Sequence, residues 1–330
     1  MMFTSTILVV LCASSAALAA EPGHGGKSLL FDSWKNKYGK TYASTTAENL
    51  RSKIFWENDA AINKHNEGEH TWYMGHNQFS DLTQEEFAAT ILGVHHRPLG
   101  NFTHEPSTVP PFTSGRGAPP SSLDWRKEGA VTPVVNQGQC VPATTVATIG
   151  VVEGVHAIAT GHLIPFSTQQ VVACCPAGQG GGCSGAYGLA YECIIQMGGL
   201  DPASAYPNTG SAAKCKVNKT AEIKHVISNF TSVPRNEGAL LAAVEKNPVA
   251  ILVDAQQGWQ MYAGGVLTGS CGSQLCHAAL VVGYTQDYWI VKNSWGAMWG
   301  DHGYIYLKRG DCASTGGECG MLTAASYAIV

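Results

Sequence analysis

Charge is scarce in this sequence. Asp, Glu, Lys and Arg make up 13% of its 330 residues, against 45% hydrophobic residues. The 20 Lys and Arg residues are scattered along the chain, and the formal net charge is −4. Nucleic-acid-binding proteins concentrate basic side chains on one face, so we expect no nucleic-acid partner. The composition is that of an ordinary globular protein, and the length favours about two domains.

Long hydrophobic runs are also missing. No stretch after residue 20 reaches about 18 consecutive apolar residues, so we expect no membrane association once the N-terminus is removed. Residues 1–20 carry no charge, contain the apolar run Ile7–Leu11, and have Ala17 and Ala19 in an A-x-A arrangement. This pattern predicts a signal peptide over 1–20, and hence a secreted, lysosomal or endosomal protein. Asn-x-Thr sequons compatible with a glycoprotein begin at Asn101, Asn218 and Asn229.

No Cys-x2-Cys pair with a matching second pair occurs among the 11 cysteines, which disfavours a zinc site. We therefore expect no metal and no other cofactor. One cysteine, Cys12, lies in the predicted signal peptide, and the other ten suit disulfide bonding in an oxidising compartment. From the sequence alone, these ten allow hundreds of pairings.

Apolar periodicity changes along the chain. Residues Ser28 to about Glu67 place apolar side chains at three- and four-residue spacings, which predicts helix. A further helix is predicted over Ala143–Thr160, because Pro142 precedes it and Gly161 follows it. Short apolar runs then predict strands at 249–253, 278–284, 288–292 and 303–307. A helical half followed by an antiparallel strand half predicts an α+β fold with two lobes and a cleft between them.

Two motifs occupy the N-terminal helical region. Arg-x3-Phe-x2-Asn-x3-Ile-x3-Asn runs from Arg51 to Asn66, and Gly-x-Asn-x-Phe-x-Asp runs from Gly75 to Asp81. Each motif alone fits any amphipathic helical hairpin. Together they resemble the propeptide motifs of cathepsin L-type proteases, except that Ala47 stands where a Glu is expected and Glu48 follows one place late. The resemblance implies a helical inhibitory proregion.

The stretch from Asn136 to Thr144 reads Asn-Gln-Gly-Gln-Cys-Val-Pro-Ala-Thr. It resembles the active-site strip of papain-like cysteine proteases, Asn-Gln-Gly-x-Cys-Gly-Ser-Cys-Trp. Ala143 stands at the position of the nucleophilic cysteine. A methyl group has neither a lone pair nor a proton to give up, so it cannot attack a carbonyl carbon. We therefore expect a papain-like cysteine peptidase homologue, made as a zymogen, that is a pseudoprotease.

The resemblance assigns roles to further residues around this strip. His277 is placed like the general base, Asn293 like the residue that orients it, and Gln137 like the donor to the oxyanion. Substrate-binding positions implied in the same way are Gly185, Ala186, Leu252, Leu275, Trp295 and Ala324. Ala186 stands where the family has a glycine, and a Cβ there would narrow the groove.

The resemblance also implies particular disulfide bonds and domain boundaries. It implies the pairs Cys140–Cys183, Cys174–Cys215 and Cys271–Cys319, and leaves Cys175 and Cys193 unassigned. For Cys276 we weigh a bridge to Cys312 against a free buried thiol. The predicted domains are a signal peptide (1–20), an inhibitory propeptide with linker (21–117) and a papain-like domain (118–330).

Two alternatives remain open. One is an active protease with a non-standard nucleophile, for which Thr144, Thr145 and Cys276 are the candidates. The other is a non-enzymatic scaffold or decoy that uses the cleft only to bind. In every case we expect a monomer whose partners are its own propeptide and a peptide or protein ligand in the cleft.

Overall fold

The computed structural model describes residues 24–92, 120–176, 187–212, 214–216, 222–256, 258–310 and 316–330. The predicted signal peptide and residues 93–117, the end of the predicted propeptide and linker, lie outside these ranges. Cys183, Gly185, Ala186, Cys312 and the sequons at Asn101 and Asn218 lie outside them as well. The chain divides into two compact units, one ending at Ala43 and the other running from Ser44 to Val330.

The described helices are α1 (His24–Tyr38), α2 (Thr45–Asn66), α3 (Gln84–Thr90), α4 (Ala143–Thr160), α5 (Thr168–Cys174), α6 (Tyr187–Met197) and α7 (Glu237–Val244). The predicted helical stretch 28–67 is thus two helices, α1 and α2. Gly39 interrupts it, because its φ of 62° lies in the left-handed region. Ser44 then caps α2 by accepting a hydrogen bond from Ala47 N at 3.2 Å.

The strands are β1 (Trp72–Met74), β2 (Leu123–Asp124), β3 (Gly199–Leu200), β4 (Ile223–Lys224), β5 (Asn229–Ser232), β6 (Val249–Val253), β7 (Tyr262–Leu267), β8 (His277–Tyr284), β9 (Tyr288–Lys292), β10 (Tyr304–Lys308) and β11 (Ala325–Ile329). A nine-stranded sheet has the order β1-β7-β10-β9-β8-β6-β11-β5, with β2 paired to β8. The predicted strands fall on β6, β8, β9 and β10. The sheet is not wholly antiparallel, because β10 and β7 run parallel.

Helix α4 forms the core of the helical side of the second unit. It has the predicted bounds and ends at Gly161, whose φ of 76° suits the left-handed cap. By length and composition it could cross a bilayer, but it packs against β8 and most of it is buried. Such a helix is the core of a folded lobe, and α4 with the large sheet gives the expected α+β architecture.

Residues 72–92 dock on the rest of the second unit by backbone pairing and by side chains. Strand β1 extends the large sheet by pairing with β7. Asn77 Nδ2 donates to Gln260 O at 2.7 Å, and Gln78 Nε2 donates to Trp295 O at 2.6 Å. Gln260 Nε2 in turn donates to Leu82 O at 2.9 Å. The segment carrying the second propeptide motif is therefore an integral layer of the unit.

Disulfide bonds join Cys174 to Cys215 and Cys271 to Cys319, two of the pairs that the resemblance implies. Cys140 is also in a disulfide, and its expected partner lies outside the described residues. A bond between Cys175 and Cys193, which the sequence left unassigned, ties the end of α5 to α6. Cys276 is a free thiol, so the suggested bridge to Cys312 is wrong.

Candidate functional site

Two close contacts set the direction of α4 relative to β8. A Cβ built on Gly150 would lie 2.7 Å from Leu280 Cδ2, and one built on Gly154 would lie 2.7 Å from Pro248 Cγ. Pro248 immediately precedes β6, whose first residue pairs with Val281. A step of four residues along α4, from Gly150 to Gly154, thus matches a step of about two residues along β8. The helix and the strand therefore run in the same direction.

This direction brings the start of the helix to the start of the strand. Ala143, the first residue of α4, lies seven residues or about 10 Å before Gly150. His277, the first residue of β8, lies three residues or about 10 Å before Leu280. Ala143 and His277 therefore lie at the same level, at the edge where α4 meets the sheet. Pro142 makes no side-chain cap at this end of the helix.

His277 is held by Asn293 on the adjacent strand end. His277 Nε2 donates to Asn293 Oδ1 at 2.8 Å, and Ser294 N donates to the same oxygen at 2.8 Å. A backbone N–H can only donate, so the amide is fixed with its oxygen toward the imidazole. The proton of the neutral ring is therefore on Nε2, and the lone pair is on Nδ1.

His277 Nδ1 is buried and has no hydrogen-bond partner among the described residues. Burial lowers the pKa of His277 to about 4, and the hydrogen bond with Asn293 opposes this only in part. The ring is thus neutral near pH 7, and its unprotonated Nδ1 has no hydrogen-bond donor among the described residues. In this orientation Nδ1 is the nitrogen that could accept a proton from a neighbouring group.

Gln137 is positioned from the opposite side of the site. Its backbone N donates to Ser294 O at 2.8 Å, while Ser294 Oγ donates to Gln137 Oε1 at 2.5 Å. Because the side-chain oxygen is occupied, the Nε2 donor group is turned away from Ser294. Ser294 therefore connects Gln137 to Asn293, a role that sequence reasoning missed. Its place between the motif residues Asn293 and Trp295 was the signal available.

Trp295 covers the imidazole and is itself covered by the propeptide segment. Its ring lies 4.6 Å from that of His277, centroid to centroid. Phe79 and Phe87 pack edge-on against it, at 5.6 Å and 5.2 Å. Phe87, in the middle of α3, was not singled out from the sequence. These contacts keep water from the His277–Asn293 hydrogen bond and place the propeptide segment directly over the site.

The predicted substrate-pocket residues lie near one another around β6. Leu252 N donates to Ala324 O at 2.9 Å, and Leu252 pairs with Ala278, the residue after His277. Leu275 packs close to Gly320, because a Cβ there would lie 2.9 Å from Leu275 Cδ2. Leu252 is fully buried, whereas Leu275 and Ala324 are half-buried. Gly185 and Ala186, the other two predicted contacts, lie outside the described residues.

The nearby thiol and hydroxyl groups differ in accessibility. Burial raises the pKa of Cys276 to about 12, and its Sγ accepts a hydrogen bond from Ala255 N at 3.4 Å. Thr145 is fully buried in the core face of α4, and Thr144 is half-buried. A mid-chain hydroxyl also lacks the free amine that activates a threonine nucleophile.

Comparison with known proteins identifies relatives along the whole chain. Residues 119–329 match the papain family cysteine protease domain, and residues 31–87 match the cathepsin propeptide inhibitor domain (I29). The chain is 36% identical over 335 residues to the senescence-specific cysteine protease SAG39 of Oryza sativa subsp. indica, covering 97% of this chain and 96% of that protein. It is 37% identical over 330 residues to ananain of Ananas comosus, covering 97% and 93%.

Solved structures of precursors are similar in fold. A recombinant stem bromelain precursor superposes with a TM-score of 0.81 at 35% identity, covering 92% of this chain and 99% of that one. Digestive procathepsin L 3 of Tenebrio molitor larval midgut superposes with a TM-score of 0.80 at 33% identity, covering 92% and 99%. The likeness thus extends over the propeptide as well as the domain that carries His277.

Proposed function

Because this chain belongs to the papain family of cysteine proteases and carries the family's inhibitory propeptide domain, we propose that it is a member without peptidase activity. Ala143 occupies the position of the nucleophile in this proposal. The observation that carries it is the buried Nδ1 of His277, which has no hydrogen-bond partner among the described residues. A working enzyme of this class needs a thiol at that nitrogen.

The rest of the apparatus supports descent from an active enzyme. His277 and Asn293 would supply the base and its orienting group, and Gln137 the donor to the oxyanion. The N-terminus of α4 would stabilise a thiolate, since the helix dipole favours negative charge there. With a methyl group at residue 143, neither the base nor the dipole has a group to act on.

A non-standard nucleophile is the weaker alternative. Cys276 precedes His277, the first residue of β8, and successive side chains of an extended chain point in opposite directions. A thiol with a pKa of about 12 is almost entirely protonated at pH 7. In native full-length protein, iodoacetamide should therefore label Cys276 on the order of a thousandfold more slowly than a thiol of ordinary pKa. Rapid native labelling that also requires His277 would favour this alternative.

Peptide binding is the function that the cleft can retain. Leu252, Leu275 and Ala324 remain apolar, and Trp295 still forms a flat wall beside His277. We propose that extended hydrophobic peptides bind weakly once another protease has removed the propeptide. The boundaries 1–20, 21–117 and 118–330, a monomeric state and passage through the secretory pathway belong to the same proposal.

The experiment that tests loss of activity compares the native residue with a restored thiol. An activity-based epoxide probe is incubated with the natural protein and with the Ala143→Cys variant, each after removal of the propeptide by an added protease. The variant should be labelled and the natural protein should not, while denatured samples of both serve as controls for accessible thiols. Labelling of the natural protein that disappears in His277→Ala would refute the proposal.

A further inference from the structure

A cavity of about 460 Å³ lies between the helical side and the sheet side of the second unit. We call it the interlobe cavity. Exposed residues such as Pro133, Val135 and Asn208 form its mouth, and buried residues of α4, β8 and β9 form its inner walls. Its lining includes neither Ala143 nor His277, but it does include Gln137, Asn293 and Ser294, so the cavity adjoins the site described above. The volume is in the range of sites that hold small molecules.

The inner wall contains a hydrogen-bonded chain of polar side chains. Thr132 Oγ1 donates to Glu153 Oε2 at 2.6 Å and accepts from Lys292 Nζ at 3.0 Å. Glu153 Oε1 accepts from Phe166 N at 3.0 Å. Glu153 and Lys292 are both more than nine-tenths buried. Both carboxylate oxygens of Glu153 therefore already have donors.

In contrast, some hydrogen-bond donors at the inner wall have no acceptor among the described residues. A lysine ammonium has three N–H groups, and in the described ranges Lys292 has one hydrogen-bond acceptor, Thr132. The next residue, Asn293, directs its side chain to His277 on the other face of the strand. Lys292 lines the interlobe cavity. Since buried donors in folded proteins nearly always have acceptors, the remaining N–H groups of Lys292 call for an acceptor in the cavity.

We propose that the interlobe cavity binds a small, mainly apolar molecule through a carbonyl oxygen that accepts from Lys292. The apolar part of the molecule contacts Val146, Ile149 and Leu280, which line the same cavity. A neutral amide or ketone fits better than a carboxylate, because a second negative charge would be repelled by Glu153. The inference goes beyond the proposed function and does not depend on the chemistry at residue 143.

The test uses NMR of the isotope-labelled full-length chain with hexanamide as the probe. Saturable shifts are expected at Lys292 and Ile149. Hexan-1-amine, which has a similar apolar part but a cationic donor head, should give no shifts there. Thr168→Phe fills the cavity from a half-buried lining position and should raise the dissociation constant for hexanamide at least about tenfold.

Thr160→Phe, at the exposed end of α4, is the matched control and should leave binding unchanged. The cavity-filling variant is preferred to Lys292→Met, because removing the ammonium would leave Glu153 buried without its charge partner. Absence of hexanamide shifts at these residues would mean that water alone occupies the cavity and would overturn the proposal. Shifts that persist undiminished in Thr168→Phe would also overturn it.

Discussion

The strand side and the helix side of the candidate site differ in how firmly the fold holds them. On the strand side, His277, Asn293 and Trp295 are buried and joined by hydrogen bonds and ring contacts. On the helix side, Ala143 is half-buried at the first position of α4, after Pro142, which makes no side-chain cap. The strand side is part of the core. At residue 143, by contrast, an alanine side chain is sufficient for the fold.

This difference explains how the chemistry can be lost while the fold is kept. Alanine is the best helix former, so α4 loses nothing when it starts with Ala143. Changing His277 or Asn293 would leave buried polar atoms unpaired, which costs about 1–3 kcal/mol each. A substitution at the nucleophile position can therefore abolish activity at a smaller cost in stability than a substitution at His277 or Asn293.

Restoring the thiol is the largest expected change on the helix side. Ala143→Cys should give peptide hydrolysis above background, and adding Thr144→Trp and Ala186→Gly should raise kcat/KM on the order of a further hundredfold. A nucleophile misplaced by about 1 Å loses that factor, and Val141–Pro142 stiffens the loop that aims it. A fluorogenic peptide assay after propeptide removal measures both, with Ala143→Ser as a weaker-nucleophile control. Equal rates for the single and triple variants would show that the surrounding departures are neutral.

The next largest effect is expected from loosening the propeptide where it covers the strand side of the site. Phe87→Ala should lower the free energy of unfolding of the full chain by about 3–5 kcal/mol, because the ring is fully buried against Trp295. Chemical denaturation measures the loss, and limited proteolysis should show earlier cleavage of the propeptide. Leu50→Ala, at a side chain that is 52% exposed, is the control and should behave like the natural chain. Matching results for the two variants would contradict the docked layer described above.

The neutral state of His277 predicts a pH dependence of stability. The pKa of His277 is about 4 in the folded chain, below the ordinary value of about 6.5. Between these pH values the unfolded chain binds more protons, so the histidine's contribution is present above pH 6.5 and is lost as pH falls toward 4. The loss is on the order of 3 kcal/mol for the natural chain.

Denaturation at pH 4.5 and pH 7 measures this difference. His277→Gln should reduce it, whereas His162→Gln, at an exposed position, should not. If His277→Gln left the pH dependence unchanged, the imidazole would not be the buried neutral group that the strand side requires.

The smallest expected effect concerns the propeptide alone. Arg51 holds Glu86 with two hydrogen bonds, at 2.6 Å and 2.9 Å, and donates to Asp81 O at 2.9 Å. The hydrogen bonds from Arg51 lower the pKa of Glu86, so the stabilisation is present at neutral pH and is lost as acid protonates the carboxylate. Arg51→Lys cannot keep the paired geometry and should cost about 1 kcal/mol at pH 7. Thermal unfolding with Lys53→Arg as control checks this, and a cost that persists in strong acid would contradict it.

Local patterns predicted much of this fold and of the candidate site. Helix α4 begins and ends where proline and glycine indicated, because those signals act on the backbone next to them. The pairing of β1 with β7, the parallel pairing of β10 with β7 and the Cys175–Cys193 bond depend on residues that come together only in the folded chain. The motif positions of His277 and Asn293 were visible in the sequence, but the lone Nδ1 and the low pKa follow from burial.

Turnover by the natural protein tests the central claim most directly. The propeptide is removed with an added protease, that protease is then inhibited, and hydrolysis of fluorogenic peptides is followed for the natural chain and for His277→Ala. We expect the same background rate for both, because His277 Nδ1 has no thiol partner among the described residues. Turnover by the natural chain that vanishes in His277→Ala would contradict the account.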